Sequence, residues 1–110
     1  MTSIERTAYP RLKRLPSAQE LADVYTATTE DLAFIRATAR GPSPMLTLAV
    51  LLKVLQRLGH MPRLQGVPFA IVAHVRASLR LPADTALDVT PRTLYRHHEQ
   101  IRTHRPRARR

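Results

Sequence analysis

Apolar side chains recur three and four residues apart along most of this chain, the spacing of one face of an α-helix. Five segments carry that period, each with its own start signal. Ser17-Ala-Gln-Glu20 has the form of a capping box, in which Ser17 caps and Glu20 reaches back. A short helix through Leu21, Ala22, Val24 and Tyr25 follows. Thr28-Thr-Glu-Asp31 starts a second helix with Leu32, Ile35 and Ala39 inward and Phe34 alongside; Gly41 and Pro42 end it. Ser43-Pro44 starts a third, a cap followed by proline at the first helical position. It runs through Leu58 and stops at Gly59. Leu48, Leu51, Leu52, Val54, Leu55 and Leu58 cover most of its circumference, and only Lys53, Gln56 and Arg57 mark a polar side. A helix so apolar all round is expected to be the buried central one.

A loop over residues 60–67 leads to Pro68, which opens a fourth helix. Phe69, Val72, Val75 and Leu79 fall on its inner stripe, with Arg76 and Arg80 off it. A second loop holds Pro82, Asp84 and Asp88. Thr90-Pro91, again cap plus proline, starts a last helix that extends to about His104. Leu94, Ile101 and either His97 or His98 form its inner stripe. Arg92, Arg96, Glu99 and Arg102 face out or lie at the margin.

Five helices, no strand pattern and short connections predict an all-α compact bundle of helix–turn–helix-like character. Residues 1–16, which contain Pro10 and Pro16 and lack a period, read as an extended basic arm. Residues 17–104 form the helical domain. Residues 105–110, Arg105-Pro-Arg-Ala-Arg-Arg110, form an Arg-rich tail. The length of 110 residues suits one domain, and 44% apolar residues suffice for a modest core. The N-terminus has no apolar run of the secretory kind. The longest near-apolar run, residues 45–52, is interrupted by Thr47 and falls far short of the ~20 residues that span a bilayer. A soluble cytoplasmic protein is expected.

Charge sharpens the picture. Lys and Arg number 18 against 8 Asp and Glu, a net of +10, and a domain this basic usually meets a polyanion. The bases are unevenly placed. Residues 41–80 hold Lys53, Arg57, Arg63, Arg76 and Arg80 and no acid; residues 92–110 hold seven Arg and only Glu99. The arm adds Arg6, Arg11, Lys13 and Arg14 against Glu5. The acids gather in early helix turns and one loop, where capping accounts for them. All the bases but Lys13 and Lys53 are Arg, whose planar fork matches phosphate oxygens and guanine edges.

Several chemistries drop out. The absence of Cys removes disulfides, thiolate zinc sites and a thiol nucleophile, and fits a reducing compartment. Three glycines form no phosphate loop, and Ser3, Ser17, Ser43 and Ser78 lack the context of a nucleophile elbow. Asp84 and Asp88 have no nearby catalytic partner. No catalysis and no cofactor are expected in this chain. His97, His98 and His104 depart from the i, i+4 spacing of helical metal ligands, so no metal is expected. The last helix lacks the large apolar face that lying on a membrane requires. Five aromatics with no RNP-like run make a single-strand stacking platform a poor fit.

Double-stranded DNA remains. Arg92, Arg96, His97 and Arg102, beside Tyr95 and Thr103, lie on a helix able to enter a major groove. Lys53, Arg57, Arg76 and Arg80 are candidate phosphate contacts. Arg11, Lys13 and Arg14 form a candidate arm into a groove.

The motifs also have a telling order. A Pro16-led capping box is followed by Tyr25-Thr26, Asp31-Leu32 and the apolar helix ending Leu55-Gln-Arg-Leu-Gly59. Val67-Pro68 opens the next helix, and Arg92-Thr-Leu-Tyr-Arg-His97 runs into Ile101-Arg102. In this order, over roughly residues 7–104, the chain resembles the N-terminal domain of the Tn-three family of replicative bacterial transposases. His97, Ile101 and Arg102 match that family's His-x-x-x-Ile-Arg pattern. The resemblance implies binding of a transposon's terminal inverted repeats. It also implies that cutting and strand transfer belong to a distant RNase-H-like domain, with three acids and two metal ions, that has no counterpart here. The implied partners are double-stranded DNA and the remainder of a transposase, or a full-length transposase. Where the family continues into a Gly-aromatic segment, residues 105–110 differ, which implies a truncated gene product or an excised piece. The rival readings are a docking module of a transposase and a small stand-alone DNA-binding regulator. The second would need a dimer face, and no heptad seam supplies one.

Overall fold

The computed structural model describes residues 16–104, which fold into five α-helices. These are α1 (Ala18–Val24), α2 (Thr29–Thr38), α3 (Pro42–Leu58), α4 (Phe69–Ser78) and α5 (Pro91–His104). A single turn of 3₁₀ helix, Leu64–Gly66, lies between α3 and α4 in a segment that reads as plain loop. No strand occurs among the described residues, so the all-α expectation is borne out. Arg11, Lys13 and Arg14 of the arm, and the tail over 105–110, lie outside the described residues.

Local capping explains where the helices begin. The Ser17 hydroxyl accepts the Glu20 N–H at 3.0 Å, as an N-cap does. At α2 the box is reciprocal: Thr28 Oγ1 accepts the Asp31 N–H at 3.0 Å, and Asp31 Oδ2 accepts the Thr28 N–H at 2.9 Å. α3 starts earlier than the Ser43-Pro44 signal predicts. Gly41, at φ 90°, is the N-cap and Pro42 the first helical residue. Both Pro42 and Pro44 then sit in the first turn, where backbone N–H groups have no intrahelical acceptor to lose. α2 accordingly ends at Thr38, ahead of the expected Gly41.

α3 is the axis of the bundle. Leu46 through Leu55 are all buried, and the helix packs against α2, α4 and α5. Burying one such leucine contributes about 1.5–3 kcal/mol relative to exposure. Gly59 closes α3 in the left-handed conformation, with its N–H on the Leu55 carbonyl at 2.7 Å.

On α4 the inner stripe is Ile71, Val72, Val75 and Leu79. Phe69 does not belong to it and stands 73% exposed. At about 100° per residue, Phe69 lies about a quarter-turn from the centre of that stripe. α4 ends in a Schellman arrangement. The Leu81 N–H bonds the Arg76 carbonyl at 3.1 Å, and the Arg80 N–H bonds Ala77 at 3.0 Å. Arg80, not glycine, takes the left-handed position at φ 59°.

α5 settles the choice between adjacent histidines: His97 is buried with Ile101, and His98 is half-buried. Its far end is pinned where His104 stacks on Phe34 of α2, ring centroids 3.9 Å apart. Its start is set from α3. Thr47 is fully buried; its hydroxyl donates to the Ser43 carbonyl at 2.8 Å and accepts the Asp88 N–H at 2.7 Å. Asp88, two residues ahead of the Thr90 cap position, in turn accepts the Thr90 N–H at 3.1 Å and the Thr93 hydroxyl at 3.3 Å, which ties the approach to α5 to its first turn. Thr26 and His74 Nε2, 2.8 Å apart, fasten the segment after α1 to α4. α1 itself contains no buried residue, although Tyr25 just beyond it is buried. No helix among the described residues is long and apolar enough to cross a membrane.

Candidate nucleic-acid interface on the last helix

α5 turns Ile101 and His97 to the core, so its opposite face is fixed. At about 100° per residue, Arg92, Arg96, Thr103 and Glu99 share the centre of that face, with Tyr95 and Arg102 on one shoulder. All but Glu99, which is half-buried, are exposed. Glu99 is the one acid on the helix, and its carboxylate reaches Arg102 at 3.3 Å. Both side chains reach solvent, so this pair is worth at most about 1 kcal/mol and leaves Arg102 able to swing away. Arg92 and Arg96, one turn apart, have no acid of α5 within that contact.

His97 leaves the candidate reading set. It is 3% exposed, its Nδ1 sits 3.2 Å from Gln100 Oε1, and its Nε2 is buried without a partner. A ring held so cannot reach a base edge. Beside it, burial and the neighbouring His97 and Arg102 push the His98 ring below its ordinary pKa of 6.5, so it stands neutral at pH 7. Asp88, at the head of the helix, is held below the ordinary carboxylate value by hydrogen bonds from the Thr90 side chain and N–H.

The four candidate phosphate contacts separate sharply. Lys53 is 4% exposed, and its ammonium lies 2.8 Å from Asp31 Oδ2, which also receives the Thr28 N–H. Gln56 approaches the other carboxylate oxygen at 3.3 Å. Lys53 is therefore an interior residue, because its position on α3 faces α2, whereas Gln56 one turn on is exposed. Arg57 is half-buried beside the Tyr25 hydroxyl. Burial raises that hydroxyl above its ordinary 10.0, and the Arg57 guanidinium opposes the rise. Arg76 donates to the Thr85 carbonyl at 3.2 Å and lies over the Phe69 ring at 5.9 Å, so it braces the loop before α5. Arg80 alone of the four stands exposed.

Two exposed arginines missing from the candidate set flank α5. Arg40 follows α2 and borders a cleft shared with Arg96. Arg63, in the α3–α4 connection, borders a second cleft on the other flank, with Leu94 and His98. Their only sequence signal is a loop position, Arg63 within the acid-free stretch and Arg40 at its edge. Among the described residues no group of three or more His, Asp or Glu is placed to hold a metal ion.

Neither curated proteins nor solved structures give a match to the chain. A family whose description is "Domain of unknown function (DUF4158)" matches residues 1–105, which takes in the arm and all five helices and leaves out 106–110. The chain belongs to this DUF4158 family.

Proposed function

We propose that this protein binds double-stranded DNA through the outer face of α5, as a recognition module without catalysis of its own. The observation that carries the proposal is the contrast in charge placement. Arg92, Arg96 and Arg102 project into solvent from one helix face, while Lys53 is interior and Arg57 and Arg76, half-buried, are engaged with Tyr25 and with the Thr85 carbonyl. A rigid helix with exposed arginines, held at both ends by Thr47–Asp88 and by Phe34–His104, suits a major groove, where Arg reads guanine and neighbours grip phosphate. Together with the resemblance to Tn-three family transposases, this gives the specific reading: recognition of terminal inverted repeats by the N-terminal module of a transposase.

The test is fluorescence-anisotropy binding to a terminal inverted repeat and to a scrambled duplex across a salt series. Tighter binding to the repeat that persists at high salt supports sequence recognition. Equal, steeply salt-dependent binding to both leaves only charge attraction. The docking alternative rests on Phe69, Val89 and Tyr95, large apolar side chains left exposed. It predicts salt-insensitive association with the remainder of a transposase and no duplex binding.

A further inference from the structure

Resting on the reading of α5 as a groove helix, we propose that the two clefts beside it seat backbone phosphodiesters of the two DNA strands, with Arg40 and Arg63 as the anchoring cations. α5 stands as a ridge between two hollows. One, of about 370 Å³, lies between the end of α2, the start of α3 and α5; exposed Arg40 and Arg96 and half-buried Thr38, Thr93 and Gln100 supply its polar groups. The other, of about 290 Å³, lies between α3, its following loop and α5, with Arg63, Gln65 and His98 as its polar groups. Neither lining contains an acid.

Each hollow receives an arginine from a neighbouring loop, one per flank of the helix. That is the arrangement a duplex asks for. A helix in the major groove, about 12 Å wide, has a sugar–phosphate strand on either side. Contacts to those strands fix register and come from Arg, from hydroxyls and from side-chain amides. The first cleft offers two guanidiniums, two hydroxyls and an amide; the second offers one guanidinium, an amide and an imidazole. Arg36, exposed on α2, borders neither cleft and serves as a charge-matched control.

The test uses the full chain and three variants, Arg40→Ala, Arg63→Ala and Arg36→Ala, in anisotropy titrations of two unrelated duplexes over a salt series. Circular dichroism should show all three folded, since all three side chains are exposed. Arg40→Ala and Arg63→Ala are expected to weaken binding several-fold on both duplexes alike. Each should flatten the slope of log K against log salt by about 1, while Arg36→Ala leaves the slope in place. Wild-type slopes in all three variants would overturn the clefts and leave the groove helix standing. An equal loss in Arg36→Ala would also overturn them, as bulk charge. Wild-type protein that binds no duplex would bring down the groove helix and the clefts together. Inorganic phosphate at constant ionic strength separates the two sources of the anion. Unchanged duplex binding supports a strand-borne phosphodiester, and displacement of the duplex would overturn it in favour of the free ion.

Discussion

α3 and α5 both carry bases, and the bundle treats the two sets in opposite ways. On α3, Lys53 is drawn into the interior against Asp31, and Arg57 lies half-buried beside Tyr25. On α5, Arg92 and Arg96 stand in solvent, and the one acid of the helix reaches only Arg102. The difference lies in what each polar strip faces. α3 is enclosed on every side, so a cation there needs an internal counter-charge. α5 lies at the surface and is anchored by only a narrow stripe. Net charge therefore overstates the surface available to a polyanion, and the location of each base decides its use.

The largest effect is expected at the buried pair. Lys53→Met is expected to cost about 3–5 kcal/mol, because it leaves the Asp31 carboxylate buried without its counter-ion. Denaturant midpoints measure it, and a change of a few tenths would show that Lys53 works at the surface after all. Acid probes the same contact. Burial pushes the Asp31 carboxyl up, but hydrogen bonds from Lys53, the Thr28 N–H and Gln56 outweigh burial and hold it below its ordinary 3.8. A carboxyl depressed in the folded state gives its full contribution above its ordinary value and loses it as pH falls through the folded one. Stability should therefore drop as pH falls below 3.8, and Asp31→Asn should lack that part of the drop.

Leu52→Ala tests whether α3 is the centre. Leu52 is 2% exposed, and its truncation should cost about 2–5 kcal/mol in chemical denaturation. Thr47→Val follows at about 1–3 kcal/mol, since the Asp88 N–H loses its acceptor. Faster amide exchange over the first turn of α5 would show the effect to be local to the helix start. Arg92→Ala should affect binding and leave stability in place. Its melting temperature should match wild type to within the equivalent of about 0.5 kcal/mol. Binding to the preferred duplex should weaken by about 1–3 kcal/mol. Equal loss on every duplex would make Arg92 a phosphate contact. The smallest effect is expected at Arg80, a non-glycine residue in the left-handed region. Arg80→Gly relieves that conformation and should stabilise by up to about 1 kcal/mol, read from the melting temperature. A loss of duplex affinity in the same variant would mark the side chain as a DNA contact.

The features legible from sequence are those that local rules fix. Helical period and caps locate all five helices, and the circumference of leucines identifies α3 as central. What depends on pairing across the chain was not legible. Asp31 reads as a capping residue for α2, and it is one. That it also neutralises Lys53, twenty-two positions away, follows only from how α2 lies on α3. His97 and His98 differ by about 100° around α5, so a small rotation of that helix decides which is interior. Phe69 scans as core by spacing, but Ile71 holds the inner position. Of the site, the outward arginines of α5 were legible from its amphipathic pattern. Arg40 and Arg63 were not, because loops carry no period to say where they fold.

α1 contains no buried residue; the segment just after it is moored by Tyr25 and by the Thr26–His74 contact. Such an element is expected to open locally at low free energy, while α3, buried over ten successive positions, should exchange its amides only on global unfolding. The backbone ahead of Ser17 is thus joined to the bundle through its least secured helix. A pull or a bound partner acting there is expected to detach α1 without melting the core or disturbing the face that α5 presents.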